Sequence, residues 1–336
     1  MTSRGRTLLT AAGIAIGLSA GAALLAEEGG RAGKSNADAA TQPGTPGGPA
    51  GNTAGKGTTA SKPAGEAAGL AVAAKQVAFA VTPAPPGRRA RPPAGSIPAA
   101  GILVDASTGE VLWSRGKWQR RSVASLTKMM NALVSLDRAG PDRTLAVSRA
   151  AASMGGSVVG GLPAGGRMRV GSLLRGMMLA SGNDAANVLA EGLGPGRGRF
   201  VWRMNDRARR MGLRCTRFVS PEGLGAGNVS CPRDLAVLAR SVLAEPKLAS
   251  MLAREWDSIE RGRNGRKTIR NRNPLVQRRY RGITGVKTGR TAAAGWCLVS
   301  SAKRGRHRLI AVALGSDESA RQSRRLLDAG FAALSR

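Results

Sequence analysis

The stretch VASLTKMMNALVS, residues 123–135, sets a serine three positions before a lysine among neighbours that are almost all apolar or small. Leu126, Met129, Met130, Leu133, Val134 and then Leu136 recur at helical spacing and predict a helix with one apolar face, ended by Gly140-Pro141. Positions three apart on a helix stack one turn above another, so Ser125 and Lys128 share a face. A serine hydroxyl is a poor nucleophile near neutral pH and needs a base beside it. A lysine amine titrates near about 10.4, but burial among apolar groups or a second cation nearby favours its neutral form. The apolar setting therefore suits Lys128 to act as the base for Ser125. A serine at a helix start also has backbone N–H groups turned toward any negative charge that develops there.

Two further triplets carry the same chemistry. Ser181-Gly182-Asn183 stands between two stretches of helical spacing, VGSLLRGMMLA and NDAANVLAEGL. Lys287-Thr288-Gly289 ends a strand-like run that Gly282 and Gly285 precede. Taken singly, each triplet also reads as a turn, a helix start or a strand end. In their order and wide spacing, S-x-x-K, S-x-N and K-T-G resemble the set found in penicillin-binding proteins and class A β-lactamases.

The rest of the chain supplies a frame. AGILVD and EVLWS flank Ser107-Thr108-Gly109 and predict a hairpin. RFVWRMNDRARRMGL and PRDLAVLARSVLAE are helical in spacing. RGITGVKTG, AGWCLVSSA and RLIAVALG return to strands, with Lys303-Arg304-Gly305 turning between the last two, and SARQSRRLLDAGFAAL closes the chain as an amphipathic helix. Strands at both ends with helices between them predict an α+β fold, an antiparallel sheet joining the N- and C-terminal portions and packed with helices.

From about residue 97 to 333 the sequence resembles the serine-type D-alanyl-D-alanine carboxypeptidases, the low-molecular-mass penicillin-binding proteins. ILVDASTGEVLW, LLRGMMLASGNDA, MGLRCTRFVSPEGL, CPRDLA and GVKTGRTAAAGWCLVSSA resemble that family's connecting segments as well as its triplets. The resemblance implies a β-lactamase/transpeptidase-like fold with an all-helical subdomain. It implies Ser125 as the acylated nucleophile, Lys128 as its base, Ser181 as a proton relay and Asn183 as a hydrogen-bond partner of the substrate amide. Lys287 supplies positive charge, and Thr288 and Gly289 line the place of the substrate carboxylate. The backbone N–H groups of Ser125 and Arg290 form the oxyanion hole, and Arg321 on the last helix is a further candidate for the carboxylate. The implied substrate is a peptidoglycan stem peptide ending in D-Ala-D-Ala, with β-lactams as covalent inhibitors and no metal or organic cofactor.

Three departures bear on the reaction. The middle triplet is S-G-N rather than S-D-N. No E-x-x-L-N segment follows it, EPKLAS at Glu245 lacking the asparagine. The single tyrosine, Tyr280, stands in YRG, so no Tyr-x-Asn motif is present. These favour a carboxypeptidase over a β-lactamase-type hydrolase. Against the other alternative, a penicillin- or cell-wall-binding protein without turnover, stands the joint presence of Ser125, Lys128, Ser181, Asn183 and Lys287.

The totals add context. The net charge is +32, and residues 1–95 hold ten basic and four acidic side chains, so most of the excess lies on residues 96–336. Such a surface is either solvated arginine or a partner for an anionic wall polymer or lipid surface. Aromatics make up 3% of the chain, too few for a base-stacking platform, and nucleic acid is not expected as a partner. Cys215, Cys231 and Cys297 with the lone His307 make no zinc pattern. Cys297 lies in an apolar run and reads as a buried free thiol. Cys215 and Cys231 can pair if the chain is exported, though separation in sequence does not supply the geometry. Arg4 and Arg6 precede twenty uncharged residues, 7–26, with Ala20-Gly21-Ala22 offering a cleavage site. This predicts export through a signal peptide or N-terminal membrane anchor over residues 1–26. Residues 27–95, rich in Gly, Ala and Pro, predict a disordered linker, with a weak helix or strand signal at 71–81, and the catalytic domain is expected over 96–336.

Overall fold

Ser107, Thr108 and Gly109 turn the chain where the sequence predicts it. Gly109 has φ +88°, a left-handed backbone that glycine adopts without strain, and Asp105 Oδ1 accepts from the Ser107 N–H at 2.9 Å. The structure, a computed structural model, describes residues 80–92, 95 and 97–335. The expected leader and residues 27–79 of the expected linker lie outside the described residues.

Chain order begins β1 (Thr82–Pro83), β2 (Ala100–Asp105), β3 (Glu110–Arg115), β4 (Arg121–Ser122) and α1 (Lys128–Arg138). It continues through β5 (Thr144–Ala146), α2 (Arg149–Ala152), β6 (Arg167–Arg169), α3 (Val170–Met178), α4 (Asn183–Leu193) and α5 (Arg197–Arg210). Then come β7 (Val229–Ser230), α6 (Pro232–Ala244), α7 (Pro246–Leu252), β8 (Trp256–Glu260), β9 (Arg266–Arg270) and α8 (Pro274–Gln277). Last are β10 (Ile283–Thr291), β11 (Gly295–Arg304), β12 (His307–Ser316) and α9 (Ser319–Leu334).

The main sheet has the order β1-β3-β2-β12-β11-β10, so the N-terminal hairpin and the three C-terminal strands join through β2 and β12. Side chains alternate across it. Ile102, Val104, Ile310 and Val312 point into the large core of the helical lobe, with Met130, Leu173, Leu189, Met204 and Leu238. Leu103, Leu309 and Ala311 face the other way, onto Leu326, Leu327 and Phe331 of α9. Helices thus cover both faces, which is why β2 reads as a continuous apolar run rather than a polar/apolar alternation. Gly330 lets α9 lie close to the sheet, since a Cβ there would stand 2.7 Å from Leu103 and Leu309. This is the α+β fold expected.

Described residues before the expected boundary at residue 96 already pack on the sheet. Thr82 and Pro83 pair in parallel with Glu110 and Val111, Ala84 and Ala90 are buried, and Arg88 meets Glu110 at 2.6 Å. The apolar content of this segment is only alanine, so nothing in its composition separates it from a linker. The β8–β9 hairpin was likewise not expected. Its buried apolar residues are Ile259 and Ile269, and arginines surround them, so no apolar period marks it.

Candidate active site

Ser125 sits not on the α-helix itself but in a 3-10 turn, Ala124–Thr127, that feeds into α1 at Lys128. Ala124 is held at φ +48°, a left-handed conformation costly for a residue with a Cβ. The strain is held from three sides. The Val123 N–H donates to the Asn228 carbonyl at 3.1 Å, beside the short β4–β7 pairing. Gly223 comes so close beneath Ala124 that a Cβ would overlap the Ala124 carbonyl. Gly289 of β10 faces the turn, where a Cβ would lie 3.1 Å from the Ser125 nitrogen. The edge strand carrying Lys287, Thr288 and Gly289 is thereby seated against the serine. Glycine at 289 is a matter of space rather than of conformation.

Lys128 is fully buried and has three partners: Ser125 Oγ at 2.8 Å, Asn183 Oδ1 at 2.7 Å and the Glu222 carbonyl at 2.7 Å. Burial lowers its pKa to about 7, more than the charges of Glu222 and Asp184 raise it, and Arg272 lowers it further. Of the three partners, the amide oxygen and the main-chain carbonyl only accept. A neutral amine gives its two hydrogens to those two and points its lone pair at the one partner able to donate, the Ser125 hydroxyl.

Asn183 opens α4. Its N–H donates to the Ser157 carbonyl at 2.7 Å and its Nδ2 to the Gly155 carbonyl at 2.8 Å, leaving Oδ1 for Lys128. The next residue, Asp184, is buried and accepts from the N–H groups of Val159, Gly160 and Ala185. The Gly-rich loop after α2 is thus sewn to the start of α4. Ser181, buried, precedes it with φ +63°. Two of the three non-glycine residues with left-handed backbone among the described residues, Ala124 and Ser181, therefore stand in these two short segments.

Lys287 is also buried, and its Nζ donates to the Thr288 carbonyl at 3.1 Å. Burial pushes its pKa well below the ordinary lysine value, and the charges of Lys128 and Arg272 push the same way. Arg290 is exposed on β10, with its guanidinium 4.8 Å from the ring centre of Trp296 across the strand pair.

Cys215 and Cys231 form a disulfide, with Cα atoms 5.6 Å apart. It closes the loop that carries Glu222 to Lys128. Cys297 is a buried free thiol, as the apolar run implied. Arg321 falls in the first turn of α9, half exposed and ion-paired with Glu318; no described contact joins it to Lys287, Thr288 or Arg290.

Three charged residues escape a reading of the sequence. Arg272 donates to Ser157 Oγ at 2.7 Å and from its backbone to the Leu179 carbonyl, so it lies where its charge reaches both lysines. Its signal is weak, since NRNP marks only a turn into a helix. Glu222 presents its carbonyl to Lys128, while its buried carboxylate lies 3.5 Å from Arg197 and accepts from Asn187 Nδ2 at 3.2 Å. Asp184 stands in a triplet's flank, but nothing local says that its carboxylate holds a loop 25 residues back.

Known proteins resemble this chain in sequence and in fold. The sequence profile of the D-alanyl-D-alanine carboxypeptidase family matches residues 89–318. The carboxypeptidase DacF of Bacillus subtilis is 34% identical over 239 residues, which cover 68% of this chain and 61% of that protein, so this chain spans about three fifths of the relative's length. A D-alanyl-D-alanine carboxypeptidase from Mycobacterium tuberculosis H37Rv superimposes with a TM-score of 0.68 at 34% identity, over 73% of this chain and 94% of the other. A mutant of the DD-transpeptidase of Streptomyces K15 does so with a TM-score of 0.67 at 30% identity, over 71% of this chain and all of that one. With the profile spanning more than half its length, this chain belongs to the D-alanyl-D-alanine carboxypeptidase family.

Proposed function

We propose that this chain is a serine DD-carboxypeptidase that removes the terminal D-alanine from peptidoglycan stem peptides. The observation that carries the reading is the buried Lys128 amine, 2.8 Å from Ser125 Oγ, whose other two partners are acceptors only. The Ser125 proton passes to Lys128 as Oγ attacks the carbonyl carbon of the penultimate D-alanine. Negative charge builds on that carbonyl oxygen, opposite the backbone N–H groups of Ser125 and Arg290. The intermediate collapses, the C–N bond breaks, and the departing D-alanine nitrogen takes a proton, with Ser181 as relay. Water then attacks the ester, and Ser125 is regenerated.

Substrate placement follows from the fold. β10 is an edge strand, so a peptide can extend the sheet along it. Family resemblance gives Asn183 the substrate amide as a partner. A terminal carboxylate beside Lys287, with Thr288 and Gly289 next to it, would oppose the burial that lowers the lysine's pKa and favour its charged form. A β-lactam offers its strained amide to the same serine and stays as the ester. The roles of these residues rest on geometry and family resemblance together.

The proposed place of action is outside the cytoplasmic membrane, on the strength of the N-terminal sequence. No helix among the described residues is long and apolar enough to cross a membrane.

Labelling with a fluorescent penicillin, with the adduct located by mass, tests the chemistry. Modification of Ser125 that disappears in Ser125→Ala is expected, together with D-alanine release from a D-Ala-D-Ala pentapeptide. Rapid penicillin turnover without D-alanine release would assign a β-lactamase instead, and labelling without either turnover would leave a binding protein.

A further inference from the structure

The turn end of the β8–β9 hairpin faces two ways. On one side its donors hold the Gly-rich loop: Lys267 Nζ on the Val159 carbonyl at 2.6 Å, Arg261 on that of Gly161 at 3.2 Å and Arg263 on that of Ala164 at 3.1 Å. On the other side the hairpin and the β5–β6 pair line a half-open cavity of about 360 Å³. Arg167, Arg169 and Arg266 line it, with Thr144 and Glu260.

Charge in this cavity is out of balance. Glu260 is shared, 3.3 Å from Arg266 and 3.9 Å from Arg169. Asp142 reaches Arg169 only at 3.8 Å, from a side chain that is 91% exposed. Among the described residues no carboxylate pairs with Arg167; Thr144 holds it through its hydroxyl at 3.1 Å and its carbonyl at 2.9 Å. That grip fixes the guanidinium in place while leaving its charge uncompensated. The result is a set of planar, oriented donors around a space large enough for a tetrahedral anion.

We propose that this cavity binds the phosphate groups of an anionic phosphodiester polymer, docking the domain on its surroundings at a place separate from Ser125. A bilayer fits less well, because interfacial binding takes apolar side chains inserted beside the charges. The exposed tryptophan of this hairpin, Trp256, is at its opposite end and stacked on Arg270. No aromatic lines the cavity, so bases would find no stacking surface and recognition runs through phosphate alone.

The probe is long-chain inorganic polyphosphate, titrated against the intact protein at physiological salt. Replacing Arg167, Arg169 and Arg266 together by Gln is expected to weaken binding by about tenfold or more and to flatten its salt dependence. Replacing Arg209, Arg210 and Arg214, exposed arginines of another face, removes the same charge and should weaken it by less than about threefold. Glu260→Gln should tighten binding, a gain that a misfolded protein cannot give. Acylation of Ser125 by penicillin serves as the independent check that each variant keeps its fold. Equal losses in the two triple variants, no gain in Glu260→Gln, or binding to phosphatidylglycerol vesicles without binding to polyphosphate each overturn the proposal.

Discussion

Glu222 acts on Lys128 through two different atoms. Its carbonyl takes a hydrogen from the amine at 2.7 Å, while its carboxylate turns to Arg197 at 3.5 Å and still raises the affinity of Lys128 for its proton. One residue therefore both aims the base and sets how readily that base is free.

The pH dependence of acylation follows. Burial brings Lys128 to about 7, so penicillin acylation should rise as pH passes through 7 and level off above it, as the neutral amine becomes the major form. Glu222→Gln removes a charge that favours protonated Lys128, so the rise should move to lower pH, by roughly one unit. Arg197→Gln leaves the Glu222 carboxylate less offset and should move it upward. Stopped-flow acylation rates across pH measure both, and shifts of the same sign in the two variants would refute the coupling.

Space beside Ser125 gives a second expectation. A Cβ at residue 289 would stand 3.1 Å from the Ser125 nitrogen and 3.2 Å from the Ala124 Cβ. Gly289→Ala should push β10 from the turn and cut acylation by about a hundredfold, the scale of a misplacement of about 1 Å. Its melting temperature should change little. Unchanged acylation kinetics would show that the strand and the turn need not be in register.

The disulfide links stability to the site. Cys215 and Cys231 are 16 positions apart, a closure worth about 3 kcal/mol. Replacing both by Ser should lower unfolding free energy by about that amount in denaturant titrations. Acylation should also slow at temperatures well below melting, because the freed loop carries the Glu222 carbonyl. A stability loss with no kinetic change would limit the bond to a structural role.

Truncation tests the N-terminal edge of the fold. The comparison is between the chain started at residue 80 and the chain started at residue 96. Starting it at 96 removes the β1 pairing, the burial of Ala84 and Ala90 and the Arg88–Glu110 ion pair. The loss should be on the order of 2 kcal/mol, mainly apolar area returned to water. Equal melting temperatures for the two truncations would show that residues 80–95 add nothing to stability.

The sequence carried the local parts of this protein on its own. Apolar period fixed α1 and α9, buried runs marked β2 and β10 to β12, and Ser107-Thr108-Gly109 marked the turn, because each depends on residues only a few positions apart. The spacing of Ser125 and Lys128 is local too, since one helical turn joins them. What brings Asn183, Glu222 and Arg272 to the same place is not local. Their positions depend on how α4, the disulfide-closed loop and the segment after β9 pack around α1, and no short pattern encodes that packing. The base property of Lys128 belongs to this second kind. Its pKa near 7 comes from burial by distant segments and from charges far along the chain, so only the tertiary structure decided it.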